Sequence, residues 1–138
     1  TNTMVISCFS FTEVAKRAAD LMPNGGSLIT LSYGGATRWV PSYNVMGVAK
    51  AALEASVRYL AADLGPRGIR VNAVAPGPVW TPLNPADKNA ERVSKFGSDT
   101  PMKRPAQPEE IAPAYVFLAS PHCSSYITGE ILPIIGGY

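Results

Sequence analysis

Apolar residues along the chain recur at spacings that change from helical to strand-like and back. From residue 14 to residue 22 they fall three or four apart, which is the spacing of one helix face. Ser10 and Glu13 just before them have the form of a capping box, so a helix is predicted over about residues 11–21. Pro23 and the glycines after it end this pattern, and the chain must turn there.

Three short, largely apolar runs bounded by turn residues have the signature of buried strands: residues 27–32, 69–74 and 130–134. The longest helical pattern lies between the first two, from Ser42 as a predicted N-cap to about residue 63. Another helix is expected from Pro108 to about residue 120, and Pro133 weakens the third strand. Strands and helices in this order form βαβ units, so the predicted fold class is α/β with three parallel strands and three to four helices.

Composition and charge narrow the function classes. The 138 residues suit one domain with a single core, and 12 basic against 10 acidic residues without a basic run argue against nucleic acid as a partner. Cys8 and Cys123 lack metal-ligand spacing, so we expect reduced thiols, no metal site and a cytoplasmic protein. No stretch of about twenty apolar residues is present, so neither export nor a membrane span is expected.

A tyrosine and a lysine are the candidate reactive pair. Tyr43 and Lys50 are seven residues apart, and on one helix seven steps of about 100° return to within about 20° of the starting direction. The ammonium would then favour the phenolate, which would make Tyr43 a better acid or a better donor to an oxygen that gains negative charge. Taken alone, such a pair is a weak signal because many surface helices carry one.

The surrounding residues carry a resemblance to a known family. Ser32 and Tyr33 end the first apolar run, Tyr43 follows ten residues after Tyr33 with Asn-Val-Met-Gly behind it, and Lys50 comes seven later. This stretch resembles the short-chain dehydrogenase/reductase superfamily, specifically the enoyl-acyl-carrier-protein reductases of bacterial fatty-acid synthesis. The commoner pattern of the superfamily places the lysine four after the tyrosine, where this chain has Gly47. From residue 76 onward the sequence is more similar to ordinary short-chain dehydrogenases.

The resemblance implies an activity and two alternatives. The implied activity is reduction of the C=C bond of an enoyl thioester with NADH or NADPH. The second half of the chain favours instead a dehydrogenase of carbonyls and alcohols. The third interpretation is a half-domain that folds and associates without activity.

The same resemblance implies roles for individual residues. Tyr43 would hydrogen-bond the thioester oxygen as an enolate develops, and Lys50 would hold the ribose of the nicotinamide. Tyr33 would lie near the substrate, although a purely packing role is an equal alternative. The residues expected to meet the nicotinamide are Pro76, Gly77, Val79 and Thr81.

The resemblance also implies an organisation for the chain. Residues 1–138 form one domain that matches the C-terminal half of a Rossmann-like, doubly wound fold, with residues 83–107 as a candidate substrate-binding lid. The glycine-rich turn that binds the cofactor pyrophosphate has no counterpart here, so NADH or NADPH should bind weakly. The expected partners are an acyl thioester or its carrier protein and further copies of the chain. Trp39 and Trp80 either cap the core or line an acyl pocket, and His122 is expected to be an exposed loop residue.

Overall fold

The computed structural model of the protein describes residues 2–87, the last of them by its backbone only, and residues 89–137. Lys88, within the predicted lid, therefore lies outside the described residues. The helices are α1 Asn2–Met4, α2 Ser10–Ala19, α3 Val45–Leu64, α4 Leu83–Asp87, α5 Ala90–Ser94, α6 Pro108–Ala119 and α7 Pro121–Ser124. The strands are β1 Gly26–Leu31, β2 Ile69–Pro76 and β3 Ile131–Ile134. A π-helical turn, Val5–Phe9, joins α1 to α2, and short 3-10 turns lie at Gly34–Ala36 and Gly65–Arg67.

The three strands form one parallel sheet, as the sequence predicts, and they lie in the order β1, β2, β3. Gly26 pairs with Ile69 and Ala73 pairs with Ile131. Central strand β2 is almost wholly buried, as expected for a parallel strand that is covered on both faces. Pro133 lies exposed in edge strand β3, a place where proline is tolerated because an edge leaves ladder positions unpaired.

Helices cover both faces of the sheet. Alternate residues of β2 point to opposite sides, so Ile69, Val71 and Ala73 pack in one buried cluster with residues of α2 and α3. Val74 packs on the other side with Ile111 and Leu118 of α6. The molecule is therefore a three-layer α/β unit, an open sheet between helices that is consistent with part of a Rossmann-like fold. Within the described residues, no helix is both long and apolar enough to span a bilayer.

The predicted capping box at Ser10 is wrong. The helical segment already begins at Asn2 and runs through the π-helical turn into α2, so Ser10 lies inside it. The Ser10 hydroxyl donates to the Ile6 carbonyl at 2.6 Å, the back-bonding that a serine makes within a helix. A side chain used in this way cannot cap a helix start.

The start of the long helix also differs from the prediction. Ser42 and Asn44 have φ values of 63° and 47°, in the left-handed region, so neither residue can be part of a right-handed helix. Helix α3 begins only at Val45, and Ser42 is not its N-cap. Tyr43 therefore lies in the turn before the helix, and the argument that Tyr43 and Lys50 share one helix face is wrong.

The predicted lid contains two short helices. They are α4 and α5, and both lie within residues 83–107. Because all three strands are parallel, their carboxyl ends at Leu31, Pro76 and Ile134 meet at one edge of the sheet. The loop with Tyr43 and the segment leading to the lid both leave the sheet at this edge.

Candidate active site

Two tyrosines meet where β1 ends. Tyr33 follows the strand after one residue, and its ring centroid lies 4.8 Å from that of Tyr43 at an interplanar angle of 60°. This is the edge-to-face arrangement that aromatic pairs prefer. The structure thus brings together two residues that the sequence places ten positions apart, and it leaves both rings half-buried.

Glycines make room for the Tyr43 ring. A Cβ atom on Gly35 would lie 2.5 Å from Cδ1 of Tyr43, and one on Gly47 would lie 3.1 Å from the Gly35 carbonyl oxygen. Real Cβ atoms are essentially never found 2.5 Å from another atom. The Tyr43 ring can therefore occupy this position only because residue 35 is a glycine.

We predict that Gly35→Ala displaces the Tyr43 ring and breaks its contact with Tyr33. The matched control is Gly34→Ala, where the added methyl group would meet only the Arg38 guanidinium, at 3.7 Å. Nuclear Overhauser contacts between the two rings should disappear in the first variant and persist in the second. Contacts that persist in Gly35→Ala would show that the backbone moves instead of the ring.

Lys50 is tied to the end of β1. Its Nζ donates to the Leu31 carbonyl oxygen at 2.8 Å, two residues before Tyr33. Lys50 lies in the second turn of α3, so helix and strand end are joined at this point. Burial disfavours the charged ammonium and lowers the pKa of Lys50, against a smaller opposing effect from Cys8.

The pKa of Tyr43 is raised, not lowered as the spacing argument expected. Burial is the main cause, and the neighbouring Tyr33 adds to it. Tyr43 precedes α3, and the Lys50 ammonium is hydrogen-bonded to the Leu31 carbonyl. The phenol and the ammonium therefore do not lie one above the other on one helix face, as the spacing argument required. Tyr43 is therefore a neutral phenol near pH 7, which is a hydrogen-bond donor.

The segment from Pro76 to Thr81 is held from two sides. The Gly77 amide donates at 2.8 Å to the carbonyl of Ile134, the last residue of β3. Val79 forms a parallel bridge with Ala106, with the Trp80 amide donating to the Ala106 carbonyl at 2.8 Å. Residues 76–81, which we call the strap, are thus bonded to β3 on one side and to the end of the lid on the other.

Asn84, in α4, supports this strap and is a residue that the sequence analysis missed. Its buried side-chain amide donates to the carbonyl oxygens of Val79 and Thr81, at 2.9 and 3.2 Å. It also lies 3.4 Å from the Thr81 hydroxyl. An asparagine three residues after a threonine in a proline-rich loop is a usual turn signal, but which carbonyls it binds depends on the fold.

Ser32 and Glu54 form a second unforeseen contact. The Ser32 hydroxyl donates to Oε1 of Glu54 at 2.5 Å, and both side chains are buried. Glu54 lies one turn after Lys50 on α3. The available signal was an acidic residue next to Leu53 in a helix pattern with a broad apolar face.

Both tryptophans and the histidine lie at least partly exposed at the surface. Trp39 is 84% exposed, so it does not cap the core, and with Tyr43 and Val48 it borders a cleft of about 470 Å³. Trp80 is partly exposed and its ring centroid lies 6.3 Å from that of Phe96. His122 is exposed as expected, but it lies in short helix α7 and not in a loop.

In the ranges 2–87 and 89–137, no three His, Cys, Asp or Glu residues gather in a group that could hold a metal ion.

The open parallel sheet is that of a partial Rossmann-like α/β fold, and the tyrosine pair and Lys50 lie at its carboxyl edge, where such folds bind ligands. The family model described as enoyl-(acyl carrier protein) reductase matches residues 1–138. The chain therefore belongs to this family of short-chain dehydrogenases/reductases.

Individual relatives agree with the family model. Enoyl-[acyl-carrier-protein] reductase [NADH] 2 of Rhizobium meliloti (strain 1021) is 53% identical over 137 residues, which are 99% of this chain and 51% of the relative. The crystal structure of FabI from Candidatus Liberibacter asiaticus superposes with a TM-score of 0.87 at 47% identity, covering 98% of this chain and 52% of that one. NADPH-dependent aldehyde reductase 1, chloroplastic, of Arabidopsis thaliana is 47% identical over 94% of this chain and 45% of its own length. The chain thus spans about half the length of the relatives it matches.

Proposed function

We propose that this chain supplies the reacting half of a nicotinamide-dependent reductase that reduces the C=C bond of an enoyl thioester carried by acyl carrier protein. The observation that carries the proposal is the Tyr33–Tyr43 pair at the carboxyl edge of the sheet, with Lys50 bonded to the same strand end. Ligands of open α/β sheets bind at this edge. The enoyl reductases among its relatives support the same chemistry.

Tyr43 is proposed as the residue that meets the reacting thioester. Reduction at the carbon β to the thioester carbonyl places negative charge on the carbonyl oxygen, and a neutral phenol stabilises such an oxygen by donating a hydrogen bond. Burial raises the pKa of Tyr43 and so keeps the proton on the phenol at neutral pH. Tyr33 orients the ring of Tyr43 through the edge-to-face contact.

The residues present fit the nicotinamide end of the cofactor. The Lys50 ammonium has three N–H donors and the Leu31 carbonyl engages one of them, so the others suit ribose hydroxyls. The strap with Pro76, Gly77, Val79 and Thr81 would border the nicotinamide ring and its carboxamide. When bound, the reduced cofactor supplies the hydride; the residues of this chain hold it in place and exclude water.

A second candidate function is reduction of a carbonyl group. The 47% identity to the chloroplastic aldehyde reductase of Arabidopsis thaliana favours it, as does the sequence after residue 76. In that reaction Tyr43 would act as a proton donor to the carbonyl oxygen. The third interpretation, a half-domain without activity, is the outcome that assays must exclude.

The test is a pair of assays, with a crotonyl thioester and with simple ketones, each with NADH and with NADPH. They are run on this chain and on a chimera in which the chain replaces the 137 matching residues of the Rhizobium meliloti relative. We expect the chimera to oxidise the cofactor with the crotonyl thioester. Faster turnover of ketones would favour the second function, and a folded chimera inactive in every assay would contradict both.

We also propose that the chain associates with further copies of itself. Large apolar side chains are exposed on α3 and on the helical segment before β1: Val45, Val48, Tyr59, Val5, Ile6 and Phe9. Exposed apolar patches mark interaction surfaces on soluble proteins. We predict a dimer or larger assembly by light scattering at tens of micromolar, shifted towards monomer in Val48→Glu, whereas a monomeric unmodified chain would contradict the proposal.

A further inference from the structure

We propose that Glu54 is a positioning residue for this site. By accepting a hydrogen bond from Ser32, Glu54 holds the end of β1 against α3. This strand end carries the Leu31 carbonyl that binds Lys50, and it leads directly into Tyr33. The expected effect on turnover rests on the proposed function, whereas the expected effect on Lys50 does not.

The first observation is the burial of the Glu54 carboxylate. Glu54 is 4% exposed and its neighbours on the same helix face, Leu53 and Val57, belong to the buried apolar residues. A buried carboxylate is unfavourable unless its oxygens are hydrogen-bonded or paired. Oε1 accepts from Ser32 at 2.5 Å, and Oε2 lies 3.7 Å from Nη2 of Arg58. An apolar residue would fill this place at lower cost, so the carboxylate is explained by the bond to Ser32.

The second observation is where that bond lies. Lys50 and Glu54 are one helical turn apart, and they reach adjacent residues at the end of β1. Lys50 binds the Leu31 carbonyl at 2.8 Å, and Glu54 binds the Ser32 hydroxyl. Two bonds from one helix to neighbouring residues fix both the position and the direction of the segment that continues into Tyr33.

The other side of the segment is fixed by the sheet. The Ser32 amide donates to the Val74 carbonyl at 2.8 Å, one residue beyond the last pair of the β1–β2 ladder. Ser32 is thus held by β2 through its backbone and by α3 through its side chain. Without the bond to Glu54, the strand end keeps its ladder but loses its side-chain attachment to the helix that carries Lys50.

The test on the chain itself measures how fast Lys50 is acylated by an N-hydroxysuccinimide ester, read by peptide mass spectrometry. The exposed Lys16 and Lys95 serve as internal references. Glu54→Leu should raise the labelling rate of Lys50 about tenfold. The reason is that the strand end loses its hydrogen bond to the Glu54 carboxylate, so the Lys50 ammonium leaves the Leu31 carbonyl more often. Glu54→Gln should stay within about twofold, since its amide oxygen accepts the same bond from Ser32.

Two further variants separate positioning from general loosening. Ser32→Ala should match Glu54→Leu, and the double variant should exceed neither, because both remove one bond. Val57→Ala, a buried position on the same helix, lowers thermal stability without touching this bond, so it should leave Lys50 labelling unchanged. Unchanged labelling in Glu54→Leu, or labelling raised equally by Val57→Ala or Glu54→Gln, would overturn the proposal.

In the active chimera, Glu54→Leu should lower kcat about tenfold or more, and Glu54→Gln should restore most of kcat. A turnover defect that Glu54→Gln does not restore would contradict a positioning role. If the unmodified chimera shows no turnover, the proposed function fails, while the labelling of Lys50 still decides the role of Glu54.

Discussion

Tyr43→Phe is expected to lower the kcat for an enoyl thioester by about a hundredfold or more while leaving cofactor affinity nearly unchanged. The substitution keeps the ring that packs against Tyr33 and removes only the hydroxyl that would donate to the thioester oxygen. Loss of one preformed donor to a developing oxyanion typically costs a factor of about 10²–10³ in kcat. Steady-state kinetics of the chimera with a crotonyl thioester measures the effect.

Two further variants serve as comparisons for Tyr43→Phe. Tyr126→Phe, at a fully exposed tyrosine, should leave kcat and KM unchanged. Lys50→Ala should lower turnover and also weaken cofactor binding, because its ammonium is proposed to hold the ribose. Equal turnover in Tyr43→Phe and the unmodified protein would remove Tyr43 from the mechanism.

The parts of the fold that were predictable are those set by local pattern. Each of the three strands is a short apolar run between turn residues, and the structure places all of them within a residue or two of the predicted ranges. Their parallel pairing followed from the intervening helices, since βαβ units have few alternatives. Even Pro133 fits once β3 is known to be an edge strand.

Helix starts were less predictable because caps are decided by single dihedral angles. Serine precedes a helical pattern at both Ser10 and Ser42, and neither is an N-cap. In the first case the helix had already begun, and in the second two left-handed residues around Tyr43 delay it to Val45. Left-handed φ at a serine is uncommon, so the sequence gives little sign of it.

The contacts that organise the candidate site are long-range, which is why spacing could not reveal them. Lys50 binds a carbonyl 19 residues earlier in the chain, and Glu54 binds Ser32 across 22 residues. The spacing argument joined Tyr43 and Lys50 along one helix, whereas the structure relates them through the end of β1. Spacing and the family resemblance together singled out the candidate residues, whereas their geometry comes from the fold.

Residues 1–138 by themselves are expected to bind NADH or NADPH only at millimolar concentration. The pyrophosphate, the adenosine and the distal ribose are held in Rossmann-like folds by the glycine-rich turn and its helix, which the described elements do not include. Only contacts from Lys50 and the strap of Pro76, Gly77, Val79 and Thr81 remain. Each lost charge-assisted hydrogen bond removes about 1.5–3 kcal/mol, and several such losses weaken a micromolar site by orders of magnitude even when they are not additive.

Titration of the chain while following nicotinamide fluorescence tests this expectation, with the chimera as the matched control that contains the complete cofactor site. The chimera should saturate at micromolar NADH and should bind more weakly with Lys50→Ala, because one charged contact to the ribose is removed. The chain alone should show no saturation in that range, with or without Lys50. Saturable binding of the unmodified chain at low micromolar concentration would show that residues of this chain, or of a second copy, replace the phosphate-binding turn.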